Sequence, residues 1–151
     1  MRKTILFSAM MLAVFAFSAM LAANDDDKKA VMSVVEEAYV KGVHAEPSGE
    51  AMRKGFHPEF ILFVQDGEKV TKFTRDEWIT RIEAAKAKSG DAPKPVVKHE
   101  FPAVEVSGKA AIVRVELHRD GKHVFTDFIS LYKFEDGWKI IGKTFYRHPK
   151  S

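Results

Sequence analysis

Asp127 stands in an otherwise apolar segment, Phe125-Thr126-Asp127-Phe128-Ile129-Ser130-Leu131. A carboxylate on a buried strand face is costly unless something pairs with it. Two chemistries fit such a residue. It can be half of a structural ion pair, with Lys143 or Arg114 as the partner. It can also be a pocket acid, its proton affinity raised by an apolar surround and lowered by a nearby ammonium. Lys143 has a role in either case, as that partner or as the anchor of an anionic ligand. His57, just before Pro58, titrates near neutral pH and is the candidate to exchange protons with Asp127. Tyr39, Phe63, Trp78 and Phe145 are candidates to line a cavity for a flat ligand, with Tyr146 as a weaker candidate at its rim. His118 and His123 flank one turn, but two histidines without a third ligand do not make a metal site, so no metal is expected.

The elements that must position these residues can be read along the chain. Its 151 residues open with Arg2 and Lys3, an apolar run and Ala22-Ala23. Residues 1–23 therefore read as a secretory signal peptide, with an uncleaved anchor as the alternative. The remainder, 24–151, is long enough for one domain with one core. Expected are export to the periplasm or medium and no membrane contact after cleavage. Loss of Arg2 and Lys3 takes the formal charge from +3 to +1, and no clustered basic face points to nucleic acid. The absence of cysteine removes disulfides, thiol catalysis and zinc–thiolate sites. Serine-nucleophile and phosphate-cradling motifs are absent too, and no cofactor is implied.

Helical spacing of apolar residues predicts a helix over 25–45 and a short second one over 49–54. Strands follow at 59–65 and 69–73. Thr74 and Glu77 form a capping box with Phe73 and Trp78 as a hydrophobic staple, so a helix should run to about Lys88. Four long strands, near 96–106, 110–119, 123–134 and 138–148, are joined by turns at Ser107-Gly108, Asp120-Gly121 and Asp136-Gly137. Helices followed by a meander give an α+β domain: a curved antiparallel sheet with two to three helices on its concave face.

Register decides which side chains share a face. Three-residue loops would pair Leu117 with His123 and Phe134 with Trp138. One face would then carry Ala111, Val113, Val115, Leu117, Phe125, Asp127, Ile129, Leu131, Ile141, Lys143 and Phe145. A two-residue loop at Asp120-Gly121 would instead set Asp127 opposite Arg114. The first register is preferred because it segregates polar from apolar residues. It leaves Phe128, Tyr132, Trp138 and Ile140 on the opposite face, a candidate homodimer surface.

Three segments carry a family likeness: Phe56-His57-Pro58-Glu59-Phe60, the strand around Asp127, and Asp136-Gly137-Trp138 through Phe145. With the order of elements, they resemble the nuclear transport factor 2-like superfamily, the cystatin-like α+β cone, and within it the "Putative lumazine-binding" branch. The resemblance implies a conical cavity between helices and sheet. That fold hosts binding modules, enzymes and assembly domains alike. Isomerases of this fold carry a basic carboxylate on the first long strand. Here that strand, Phe60 to Gln65, has none before Asp66, which argues against their chemistry. The reading is an exported domain binding a small hydrophobic or flat heterocyclic ligand. The alternatives are a cofactor-free acid–base enzyme (dehydratase, cyclase or isomerase) using His57 and Asp127, and a periplasmic interaction domain.

Overall fold

A computed structural model describes residues 24–149. The expected signal peptide lies outside them. Helix α1 covers residues 24–45, α-helical at first and π-helical over Val35–Ala45. Its buried positions include Val31, Val35, Tyr39 and Val43, a strict four-residue repeat. A helix of 3.6 residues per turn would let that stripe drift around its axis. The wider turn over Val35–Ala45, closed by i→i+5 bonds such as Glu46 N–H to Lys41 O, turns that drift back and brings residues five apart toward the same side.

Helix α2, Gly49–Gly55, is capped by Ser48, whose Oγ accepts from the Ala51 N–H. It leads directly into β1, Phe56–Asp66. Gly55 allows α2 to abut α1, since a Cβ there would lie 2.2 Å from that of Ala38. Strand β2 is Lys69–Thr74. The Thr74–Glu77 capping box starts α3, Arg75–Ser89, with both reciprocal bonds in place. Strands β3 (Val97–Ser107), β4 (Ala110–Arg119), β5 (Lys122–Phe134) and β6 (Gly137–Arg147) follow.

The six strands form one curved, unclosed sheet in the order β2-β1-β6-β5-β4-β3. All neighbours are antiparallel except β1 and β6, which no hairpin joins. The α+β architecture is as expected; the parallel pair was not. Core residues Val113, Val115, Leu117, Ile129 and Leu131 of the sheet face Val31, Val35 and Met52 of the helices. Asp27 ties the start of α1 to the sheet by accepting from Lys133 Nζ at 2.6 Å and Trp138 Nε1 at 3.1 Å.

Both turns that set the register differ from expectation. Arg119 pairs with Lys122 across a two-residue turn, with Asp120 at φ 52° and Gly121 at φ 79°. Two residues at positive φ match the twist of a hairpin. A bulge at Val124 then restores the offset, so Leu117 pairs with Phe125 and Val115 with Asp127. The turn was the rejected one, yet the face assignment on β4 and β5 stands. On β6 the outcome reverses at the turn-proximal end. Phe134 pairs with Gly137, and a second bulge leaves Ile141 unpaired opposite Leu131. Trp138 and Ile140 therefore turn inward and are buried, not outward as the three-residue loop required.

No helix among the described residues is long and apolar enough to cross a membrane.

Candidate functional site

The concave face of the sheet, α1 and α3 enclose an open cavity of about 1020 Å³. Below its floor sits Asp127, fully buried on β5 between Val115 and Phe145. Lys143, paired in register with Ile129, is its diagonal neighbour. Its Nζ lies 2.5 Å from Asp127 Oδ1. The Tyr39 hydroxyl donates to Oδ2 at 2.6 Å from α1. One helix and two strands thus converge on a single carboxylate. The Lys143 ammonium is also caged by aromatic rings, 4.0 Å from the Phe145 centroid and 5.2 Å from that of Tyr39.

Burial dominates the proton affinities here. It pushes the Asp127 carboxyl above its ordinary range, against the pull of Lys143 and Tyr39. It pushes the Lys143 ammonium down, against the pull of Asp127. Tyr39 is raised well above an ordinary phenol, first by burial and then by the adjoining carboxylate. Arg114 takes no part: it pairs with Glu116 on the opposite face, which overturns the alternative pairing with Asp127.

Trp78 and Phe145 line the cavity as well. Trp78 stacks on Phe60 with ring centroids 5.6 Å apart and meets Phe56 edge-on at the same distance. Phe63 does not belong with them. Leu62 and Val64 face the cavity, so strand alternation turns Phe63 to the other side of β1, where Lys72 lies 5.8 Å from its ring.

His57 is not in the cavity either. It stacks on Phe134 at 4.6 Å, and its Nδ1 accepts from the Glu59 N–H. Phe134 lies at the end of β5, roughly 20 Å of strand from Asp127 at 3.3 Å per residue. No single substrate could bridge His57 and Asp127 through hydrogen bonds. The expected proton-transfer pair is therefore corrected: the two residues occupy different ends of the molecule. Tyr146 is 57 % exposed on the outer face, against His148.

Sequence reasoning missed His44 and Arg119. His44 ends α1 five residues after Tyr39, and i→i+5 stacking brings the two rings to 4.9 Å, edge to face. In a regular α-helix residues five apart lie on different faces, so only the four-residue apolar repeat could have revealed this. Arg119, at the end of β4, donates from Nη2 to His44 Nδ1 at 2.9 Å. Because arginine can only donate, Nδ1 is unprotonated and the imidazole proton sits on Nε2. Burial, with Arg119 and Lys143 nearby, drives the His44 pKa down to about 3, so the ring is neutral near pH 7.

On the outer sheet face Glu116, His123 and His148 bring their ligand atoms within 4.8 Å of one another. These groups satisfy each other: His123 Nε2 meets Glu116 Oε2 at 2.8 Å, and Thr126 bridges Glu116 and His148. His148, not His118, is the histidine that joins His123 and Glu116 in this group.

Comparison with known proteins agrees with this architecture. The model of the family described as "Putative lumazine-binding" matches residues 26–146. No curated protein matches. Among solved structures, an NTF2-like protein of unknown function from Shewanella baltica OS155 superposes with TM-score 0.66 at 24% identity, covering 81% of this chain and 94% of its own. One from Silicibacter pomeroyi DSS-3 gives 0.63 at 22%, covering 80% and 94%. A domain of unknown function with a cystatin-like fold from Nostoc punctiforme PCC 73102 gives 0.60 at 17%, covering 83% and 79%. Likeness at these identities establishes the cone-shaped fold.

The buried pair predicts strongly non-additive mutations. Asp127→Leu and Lys143→Met each strand a buried charge and should cost about 3–5 kcal/mol in urea unfolding. The double variant should lose less than either single one, about 1–2 kcal/mol for the Tyr39 hydroxyl left without its acceptor. Additive losses would show that the two residues do not act as a pair.

His44 predicts a pH dependence. Its folded pKa of about 3 lies below the unfolded 6.5, so the unfolded chain binds the extra proton in that window. Its contribution is complete above pH 6.5 and is lost as pH falls toward 3, by about 1.4 kcal/mol per unit. Unfolding titrations from pH 7 to 4 should show a shallower decline for His44→Gln than for the unsubstituted chain. Parallel slopes would contradict a buried neutral imidazole.

Proposed function

We propose that this chain, which belongs to the "Putative lumazine-binding" family of the nuclear transport factor 2-like superfamily, is an exported, non-catalytic domain that holds a small flat heterocyclic molecule in its cone. The observation that carries this reading is the open cavity, not filled by the protein's own side chains. Its volume of about 1020 Å³ matches the upper end of small-molecule sites. Trp78, Phe125 and Phe145 offer ring faces along its wall. The family description favours a heterocycle as the class of ligand. Against acid–base catalysis stands the position of Asp127. It is sealed under the floor, with both carboxylate oxygens already engaged by Lys143 and Tyr39.

Thermal shift with lumazine and a panel of related flat heterocycles tests this directly. A ligand at a hundred times its Kd should stabilise the fold by about 2.7 kcal/mol. For a domain of this size that raises Tm by about 10 °C. Trp78→Ala should abolish the shift. If no member of the panel raises Tm, the reading is wrong.

Homodimerisation belongs to the same proposal. On the outer sheet face Phe128 is 43 % and Tyr132 50 % exposed, with Ile112 nearby on β4. Apolar exposure of this kind marks a contact surface, and a second copy of the chain is its simplest occupant. Light scattering should give twice the monomer mass, and Phe128→Lys with Tyr132→Lys should halve it. A monomeric unsubstituted protein would rule the dimer out.

A further inference from the structure

The charge of the cavity wall is one-sided. Six cationic side chains line it, Arg81, Lys86, Lys94, Arg119, Lys143 and Arg147, against one acid, Glu46. Several of these charges are already answered. Lys143 is paired with Asp127, Lys86 donates to the Pro47 carbonyl, and Arg81 lies over the Phe73 ring. Among the described residues only Lys143 of the six has a carboxylate within ion-pair distance; Arg119 and Arg147, which gather around Phe125 and His44, are among those left without one.

A second observation points to the same end of the cavity. Two buried donors there have no acceptor: Nε of Arg119 and Nε2 of His44. The Arg119–His44 hydrogen bond fixes the proton on Nε2, so both atoms present N–H groups. Leaving a buried donor unanswered costs about 1–3 kcal/mol, and buried polar groups are almost always satisfied. Nothing in the described chain supplies the acceptor. Around these donors the wall is aromatic: Phe125 lies 5.9 Å from His44, with Arg147 over its ring at 5.2 Å.

We infer that the ligand is an aromatic or heteroaromatic molecule bearing an anionic group, a carboxylate, sulfonate or phosphate, which Arg119 and His44 take as their missing acceptor while Trp78 and Phe145 receive its flat body. A guanidinium suits oxyanions, because its fork of N–H groups matches two oxygens at once. Arg147 adds a second cation at the mouth. The inference rests on the cavity being a ligand site and narrows what that site accepts.

Two fluorescent probes separate this claim from the one beneath it. 8-Anilinonaphthalene-1-sulfonate and N-phenyl-1-naphthylamine share the same aromatic body and differ by one sulfonate. Both should bind the unsubstituted protein at fixed ionic strength. Arg119→Gln should weaken the sulfonate probe about tenfold and leave the neutral probe within about twofold, as expected for loss of one charge-assisted contact. Arg147 is exposed, so Arg147→Gln tolerates the change readily and should weaken the sulfonate probe about threefold with the same indifference to the neutral one. If Arg119→Gln does not fold, the Arg147 variant decides. Should the substitutions leave sulfonate binding unchanged, or weaken both probes alike, the anion inference is overturned and the cavity remains a ligand site. If neither probe binds, the cavity reading falls and this inference with it.

Discussion

The buried carboxylate of Asp127 is the constraint that the rest of this fold answers to. A charge with no solvent access must be met by the chain itself, or the strand that carries it cannot stay in the core. Lys143 meets it from β6 and Tyr39 from α1. That arrangement does more than neutralise a charge. It fixes the stagger of β5 against β6, since a one-residue slip would move one partner to the opposite face. It also fixes the height of α1 above the sheet, because the tyrosine hydroxyl has a single place to go. Asp27 performs the same service at the other end of the helix, under Trp138 and Lys133. A helix pinned at both ends roofs the cavity without filling it.

The π-helical geometry of α1 follows from the same demand. Tyr39 must reach down to Asp127 while His44 meets Arg119 at the cavity wall. In a regular α-helix these two side chains would diverge around the axis. The wider turn stacks them. The sequence carries a trace of this in Val31, Val35, Tyr39 and Val43, a repeat of four where an α-helix would favour 3.6. Helical spacing was enough to locate the helix but not to reveal its pitch, and His44 went unrecognised for that reason.

The sheet shows a similar division between what local patterns encode and what they do not. Asp-Gly pairs marked the hairpins, and alternation on β4 and β5 placed Asp127 beside Lys143 correctly. The turn lengths were read wrongly. A three-residue loop and a two-residue loop followed by a bulge give the same face beyond the bulge, so periodicity cannot tell them apart. The bulge at Val124 cancels the error on β5. On β6 the bulge at Ile141 comes several residues after the turn. Everything between turn and bulge changes sides, which is why Trp138 and Ile140 are core while Lys143 and Phe145 kept their expected face. The candidate residues that failed, His57 and Phe63, did so for related reasons. Phe63 was judged by residue type without its parity to Leu62 and Val64. His57 was chosen for its titration near neutral pH, but it sits at the very start of β1, and the concave wall is built further along that strand.

The internal pair also determines which charges dominate the cavity. Asp127 and Lys143 together are close to neutral, and the ammonium is further screened by the rings of Phe145 and Tyr39. Their field in the cavity is that of a short dipole, which falls off faster than a bare charge. Among the described residues Arg119 and Arg147 have no carboxylate partner, so their field reaches into the cavity uncancelled. The charges that stabilise the fold and the charges that set the potential of the cavity wall therefore belong to different residues. A substitution at Asp127 would act first on the architecture, through the strand register and the helix it anchors. A substitution at Arg147, an exposed residue of the cavity wall, would leave the core untouched and alter only the charge of that wall.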